Sequence, residues 1–410
     1  MNRHLLIILI PFSLTPMVSF LYRMANAVIA PDLVDELDLD AAGLGLLTSA
    51  FFIGFGLTQL PLGMALDRWG PRRVAALLFL VGGIGGVIFA TGTSVLQLGI
   101  GRALMGVGMA CSVMAGLKAA NLWFPPGRVP LLTSFFFGMT GVGGMLATVP
   151  LAALLQTVHW RDALLGIAAC AVLVAVLLFL LVPEKPPSAT KPPGLHRQLR
   201  DLGAIFSSLA FWRYTPLAAI AIGASAAYQS LWVVPWLRDI AGFDRQDQAL
   251  GLFLILAGSV VGNFGFGALT QVLARRGIPL MLPVLAGFVG CVAIQAVFAT
   301  GYTGAVLPMW FLFGVLAAGP IGLYAVLGPH FPVELSARVS TAMNLCVFLT
   351  SFAFQWLVGV VIDLWPHRPD GTYDPDAHAA ALVFVIAAQL LALAWFAASA
   401  RVARTPRGRA

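Results

Sequence analysis

The chain has 410 residues and a formal net charge of +7, is 60% hydrophobic, and carries only 10% charged residues, against roughly 25% in an ordinary soluble domain. Long apolar runs recur along its whole length, which excludes a soluble core and marks an integral membrane protein. No alternation of apolar and polar residues over about ten positions is visible, which excludes a closed β-barrel.

Twelve spans are predicted, at 5–30, 43–66, 74–93, 97–122, 129–155, 162–183, 214–237, 247–272, 279–300, 304–329, 339–363 and 379–400. Each is close to the ~20 apolar residues that carry a helix across a bilayer core. The fold class is therefore all-α. The first span is expected to be a membrane helix and not a signal peptide. It is longer than a signal core, lacks a small-residue cleavage site, and carries Arg23 and Asn26.

Span 1 holds the first candidate for substrate contact, Arg23 in Phe20-Leu-Tyr22-Arg23-Met-Ala-Asn26. A charge near the midplane is costly and faces a bundle interior or a wet cavity. Its planar fork suits a carboxylate, phosphate or nitrate-like group. Tyr22 and Asn26 are taken as its companions. The rival reading has Arg23 satisfied by helix-end carbonyls or by Asp32 at the outer end of the span.

Between spans 2 and 3 runs Gly63-Met-Ala-Leu-Asp67-Arg68-Trp-Gly70-Pro-Arg72-Arg73. A Gly, three residues, Asp-Arg, one residue, Gly and then basic residues resembles the loop between helices 2 and 3 of the major facilitator superfamily. The resemblance implies twelve helices in two pseudo-symmetric six-helix bundles and transport by alternating access. It also implies a latch for the outward-open state. Gly63 would let neighbouring helices approach closely. Asp67 would face the N–H groups that begin helix 11, here near Ser340-Thr341. Arg68, Arg72 and Arg73 would pair with acids or lipid headgroups. The plainer alternative is a basic turn with no gating role.

In span 4, Arg102-Ala-Leu-Met-Gly106-Val-Gly108 resembles the second motif of that family. Arg102 lies near the outer end, where pairing with Asp32 or with free carbonyls is expected, in a gating role. Lys118, near the inner end, either snorkels to the cytoplasm or adds a second positive charge to an anion path. Met105, Met109, Cys111 and Met114 are soft ligands of the kind that suits Cu(I), but they have no partner His and read better as packing. Span 5 has Gly138, Gly141, Gly143 and Gly144 without the Gly-Pro step of the family's antiporters, which weakens a drug–proton antiporter reading.

Residues 184–212 are the one long polar break, with Pro-Pro twice. They are expected to be a cytoplasmic linker, with a short surface helix near 195–208, between a bundle at 1–183 and another at 213–410 that ends in a basic tail. The halves echo each other at offsets of 203 to 210 residues: Gly267 with Arg275-Arg276 follows Gly63 with Arg72-Arg73, although Gln271 stands where Asp67 does. Such repeats carry a midplane site at their interface. In span 7, Tyr228, Trp232 and Trp236 are spaced i, i+4, i+8, and Tyr228 is expected to face Arg23 across a cavity. Trp236 has the interfacial aromatic belt as a rival place. Gln229, Asn263, Tyr324, Asn344 and Gln355 are the other polar cavity candidates.

Seventeen of the 24 Lys and Arg residues fall in segments on one side of this scheme and four on the other, with Arg23, Arg102 and Lys118 inside spans. The positive-inside rule then puts both termini in the cytoplasm, and with the resemblance a bacterial-type inner membrane is expected. The charge is a topology signal and not a nucleic-acid signal; the basic tail suits anionic lipid headgroups. All four cysteines lie inside spans, so neither a disulfide nor a metal site is expected. No cofactor is implied, and the resemblance implies a monomer. No paired carboxylates or nucleophile–base set appears within the spans, so an enzyme is not expected. The leading function is uptake of a small organic or inorganic anion. Efflux of an amphipathic compound, or a membrane sensor with a transporter fold, are the rivals. No Asp, Glu or His lies well inside a span: Asp32 and Asp363 sit at outer ends and His330 at an inner end. Coupling to protons, to sodium, or to neither stays open.

Overall fold

The computed structural model describes residues 3–183, 195–332, 335–366, 368 and 371–403. The linker stretch 184–194 and the basic tail at 404–410 lie outside the described residues. Among the described residues every regular element is helical.

Span 1 is the helix Arg3–Leu37. Spans 2 and 3 run on as Ala41–Thr91, broken at Gly70 with φ 79°. That conformation is open to glycine and strained for other residues, so the loop motif needs Gly70 to turn the chain between 41–69 and 71–91. Spans 4, 5 and 6 follow at Val95–Trp123, Leu131–Leu154 and Trp160–Leu181. A helix at Leu195–Phe206 precedes span 7. Spans 7 to 10 are Leu209–Asp239, Arg245–Arg275, Met281–Ala299 and Val306–His330. Spans 11 and 12 are Ser336–Ile362 and Pro375–Ala403. Twelve crossings put the two ends of the chain on one side, called here the terminal side; the other is the far side.

Several helix starts are fixed locally. Asp40 accepts the Gly43 N–H at 2.7 Å, and Asp244 accepts those of Gln246 and Asp247 at 2.9 Å, satisfying first-turn donors. Within the bundles, small residues set the packing distance. A Cβ on Gly106 would run into the backbone of Phe51, and one on Gly108 into that of Gly82, so span 4 presses on spans 2 and 3. Gly258 and Gly314 hold spans 8 and 10 together in the same way.

The two ends of the molecule differ. On the far side the bundles are sealed. Asp363 of span 11 accepts the N–H groups of Ala41 and Ala42 at 3.0 and 2.6 Å. Gln355 donates to the Thr48 hydroxyl at 2.6 Å. Arg245 of span 8 pairs with Asp32 of span 1 at 2.5 Å and reaches the Val28 carbonyl at 3.3 Å. Gly45 lies so close to span 11 that a Cβ would stand 2.5 Å from the Gln355 carbonyl oxygen. Towards the terminal side, a Cβ on Gly63, Gly138, Gly265 or Gly267 would meet nothing within 4 Å. The described bundles are thus closed against each other on the far side, while these four glycines of spans 2, 5 and 8 have open space around them.

Candidate substrate cavity between the bundles

Arg23 lies near the middle of span Leu6–Leu37. No hydrogen bond or ion pair reaches it among the described residues, and its buried Nε has no partner. Its guanidinium carbon stands 5.0 Å from the ring centre of Phe52, 5.4 Å from Phe20 and 5.9 Å from Phe348, within the ~6 Å range of cation–π attraction. Phe52 comes from span 2 and Phe348 from span 11, so Arg23 touches the seam of the two bundles. Phe55 stacks against Phe348 with ring centres 4.1 Å apart. These rings form a floor under the far-side seal, and Arg23 stands at its edge, partly exposed.

The residues paired with Arg23 in the sequence reading divide. Tyr22 is 0% exposed and turns into the first bundle; its hydroxyl packs where a Cβ on Gly86 of span 3 would be, so it is not beside the Arg23 guanidinium. Asn26 is also 0% exposed, and both polar atoms of its side chain lack a partner. Lys118 forms an ion pair with Asp67 at 2.6 Å, which joins the loop motif to span 4.

The aromatic face expected on span 7 is not one face. Tyr228–Trp232 is a π-helical turn, which inserts an extra residue and breaks the 3.6-residue spacing. Tyr228 and Trp236 both lie on Trp310 inside the second bundle, with ring centres 6.4 and 5.8 Å away. Trp232 instead donates to the Gln355 carbonyl at 2.9 Å and packs by Gly45, in the far-side seal. Trp236 is 1% exposed, so it is core and not an interfacial belt residue. Gln229 donates to Ser259 at 3.4 Å, and the Tyr324 hydroxyl donates to Asn344 at 3.0 Å. Asn263 is exposed.

The gating candidates are also rearranged. Arg102 is buried and does not meet Asp32. It donates to the Tyr22 carbonyl at 3.1 Å and faces the rings of Phe51 and Phe89. Asp32 belongs to Arg245, which comes from the other bundle and which sequence alone gave no reason to choose. Asp67 meets Lys118 and not the start of span 11. Gly63 has open space around it, so it allows no close approach in this conformation. Arg68 stacks on Trp69, and Arg72 donates to the Phe179 carbonyl at 2.6 Å. Arg73 is exposed at the start of span 3.

One cluster was missed. The Asp239 carboxylate is fully buried and receives Arg238 Nε at 2.5 Å, His378 Nε2 at 2.8 Å and the Tyr373 N–H at 3.2 Å. Both acid and histidine lie at span ends, where sequence reading expects solvent. Among the described residues no His, Cys, Asp and Glu group has the arrangement of a metal site.

Two six-helix bundles, sealed against each other on the far side, give the architecture of membrane transporters in which a site at the bundle interface opens alternately to the two faces. The sequence matches the profile of the Major Facilitator Superfamily over residues 12–355, and the chain belongs to that family. It is similar to a probable sulfoacetate transporter of Cupriavidus necator, 24% identical over 63% of this chain and 63% of that protein. The match therefore spans less than two thirds of that relative. It is also similar to a hexuronate transporter of Bacillus subtilis, 26% identical over 69% of this chain and 72% of the relative. A crystal structure of a bacterial homologue of the human lysosomal transporter Spinster, in an inward-facing conformation, has the same fold, with a TM-score of 0.78, 18% identity and 98% coverage of both chains.

Proposed function

We propose that this transporter carries a small organic anion across the cytoplasmic membrane by alternating access, with Arg23 as the residue that meets the negative charge. The observation that carries the reading is the isolation of Arg23: an arginine near the membrane midplane, at the seam of the bundles, with no acid beside it among the described residues. An unpaired charge there is costly and is retained where a ligand or water completes it. Two relatives named for organic acids, sulfoacetate and hexuronate, agree with it.

The excess of Lys and Arg on the terminal side supports cytoplasmic termini. The described conformation is then inward-facing: sealed outside by Asp363, Gln355 and the Asp32–Arg245 pair, open inside. In the outward-facing form Asp67 would leave Lys118 and cap the start of span 11. A thermal-shift screen of the purified protein in detergent, with a panel of organic acids, tests the reading, because a ligand of the folded state raises its apparent stability. Stabilisation by one class of acid, lost in Arg23→Ala, supports it. Stabilisation by lipophilic or cationic compounds alone, unchanged in Arg23→Ala, refutes it.

A further inference from the structure

The surroundings of Arg23 narrow the class of anion, on the footing of the anion reading above. Charge comes first. Three basic residues lie within the spans in the sequence reading, and two of them have other partners. Arg102 is 3% exposed, bonded to the Tyr22 carbonyl and covered by Phe51 and Phe89. Lys118 is neutralised by Asp67. Among the described residues, a second carboxylate on a substrate held at Arg23 would therefore find no cation beside it, at the cost of desolvating an unpaired charge.

Shape and polarity come next. Around the guanidinium stand the faces of Phe20, Phe52 and Phe348. Neutral polar groups of the second bundle already have partners: Gln229 bonds to Ser259, Tyr324 to Asn344, and Gln355 to Ser230 and, across the seam, to Thr48. A polyhydroxylated chain next to Arg23 would lose hydrogen bonds to water and find phenyl rings in exchange. An apolar remainder would gain from the same rings. We infer that the cavity takes a monocarboxylate with an apolar body, such as a short aliphatic or aromatic acid, in preference to a sugar acid or a dicarboxylate. Phe348 and Phe20 are the residues that set this preference. Because Phe348 also stacks on Phe55 beneath the seal, the same ring that holds the apolar body belongs to the gate.

Isothermal titration of the purified full-length protein in detergent with benzoate, gluconate and succinate tests the inference. The expected result is benzoate binding at least about tenfold tighter than either other acid, abolished in Arg23→Gln and weakened in Phe348→Leu while gluconate is little changed. Phe20→Leu serves as the second variant where Phe348→Leu does not yield folded protein. Gluconate or succinate binding as tightly as benzoate, and through Arg23, overturns the class while leaving the anion reading standing. Binding of none of the three through Arg23 overturns both.

Discussion

Asp363, at the far end of span 11, accepts the backbone N–H of Ala42 at 2.6 Å, and that of the adjacent Ala41 at 3.0 Å. A carboxylate on one bundle thus satisfies the free donors that begin span 2 on the other, where the helix dipole favours negative charge. This is the far-side counterpart of the contact that the loop motif implies for Asp67 and span 11. Each would close one face, and the described conformation has only the far-side one made.

Asp363→Ala should loosen the far-side seal by about 1 kcal/mol, the usual worth of such a cap. With the native cysteines replaced, a cysteine at Thr48 should react faster with a membrane-impermeant reagent added from the far side. Unchanged labelling would remove Asp363 from the gate.

Gly359→Ala should act more strongly. Its Cβ would overlap the Ala41 carbonyl oxygen, which cannot move without shifting span 2. The variant should fold, favour the conformation open on the far side, and transport slowly; wild-type turnover would show that spans 2 and 11 need not close at this point.

Asp67→Asn should cost little stability, because its partner Lys118 is 38% exposed and the acid 48%, and such pairs are worth about 0–1 kcal/mol. Its effect should appear in turnover, through the outward-facing state. Wild-type turnover in proteoliposomes would rule out a latch.

Asp239→Ala should lower the apparent unfolding temperature more than Asp374→Ala. The Asp239 side chain is 0% exposed between Arg238 and His378, whereas the Arg368–Asp374 pair is 3.6 Å apart with the arginine side chain 43% exposed. Removing one member of a buried pair costs on the order of 3 kcal/mol, and a surface pair far less. Equal losses in the two variants would contradict the structural role given to Asp239.

Hydropathy placed all twelve spans because length and apolar content decide membrane crossing. The loop motif showed where the chain turns because Gly70 needs its positive φ. Depth was legible too, and put Arg23 near the midplane. Direction around each helix was not. Arg102 and Asp32 share a depth band, yet Asp32 points to span 8 and Arg102 to Tyr22. Spacing along span 7 assumed an unbroken α-helix, and the π turn at Tyr228–Trp232, which no residue type announces, sent Trp232 to the seal and Trp236 to the core. Asp239 and His378 escaped notice because each closes a span, and only the folded chain brings them together.

The most direct measurement is uptake into proteoliposomes of the acid that stabilises the wild type best, compared with Arg23→Lys and Arg23→Ala. Arg23→Lys keeps the charge and loses the fork, and should weaken affinity about tenfold; Arg23→Ala should abolish saturable uptake. Wild-type uptake by both variants would contradict an anion site at Arg23.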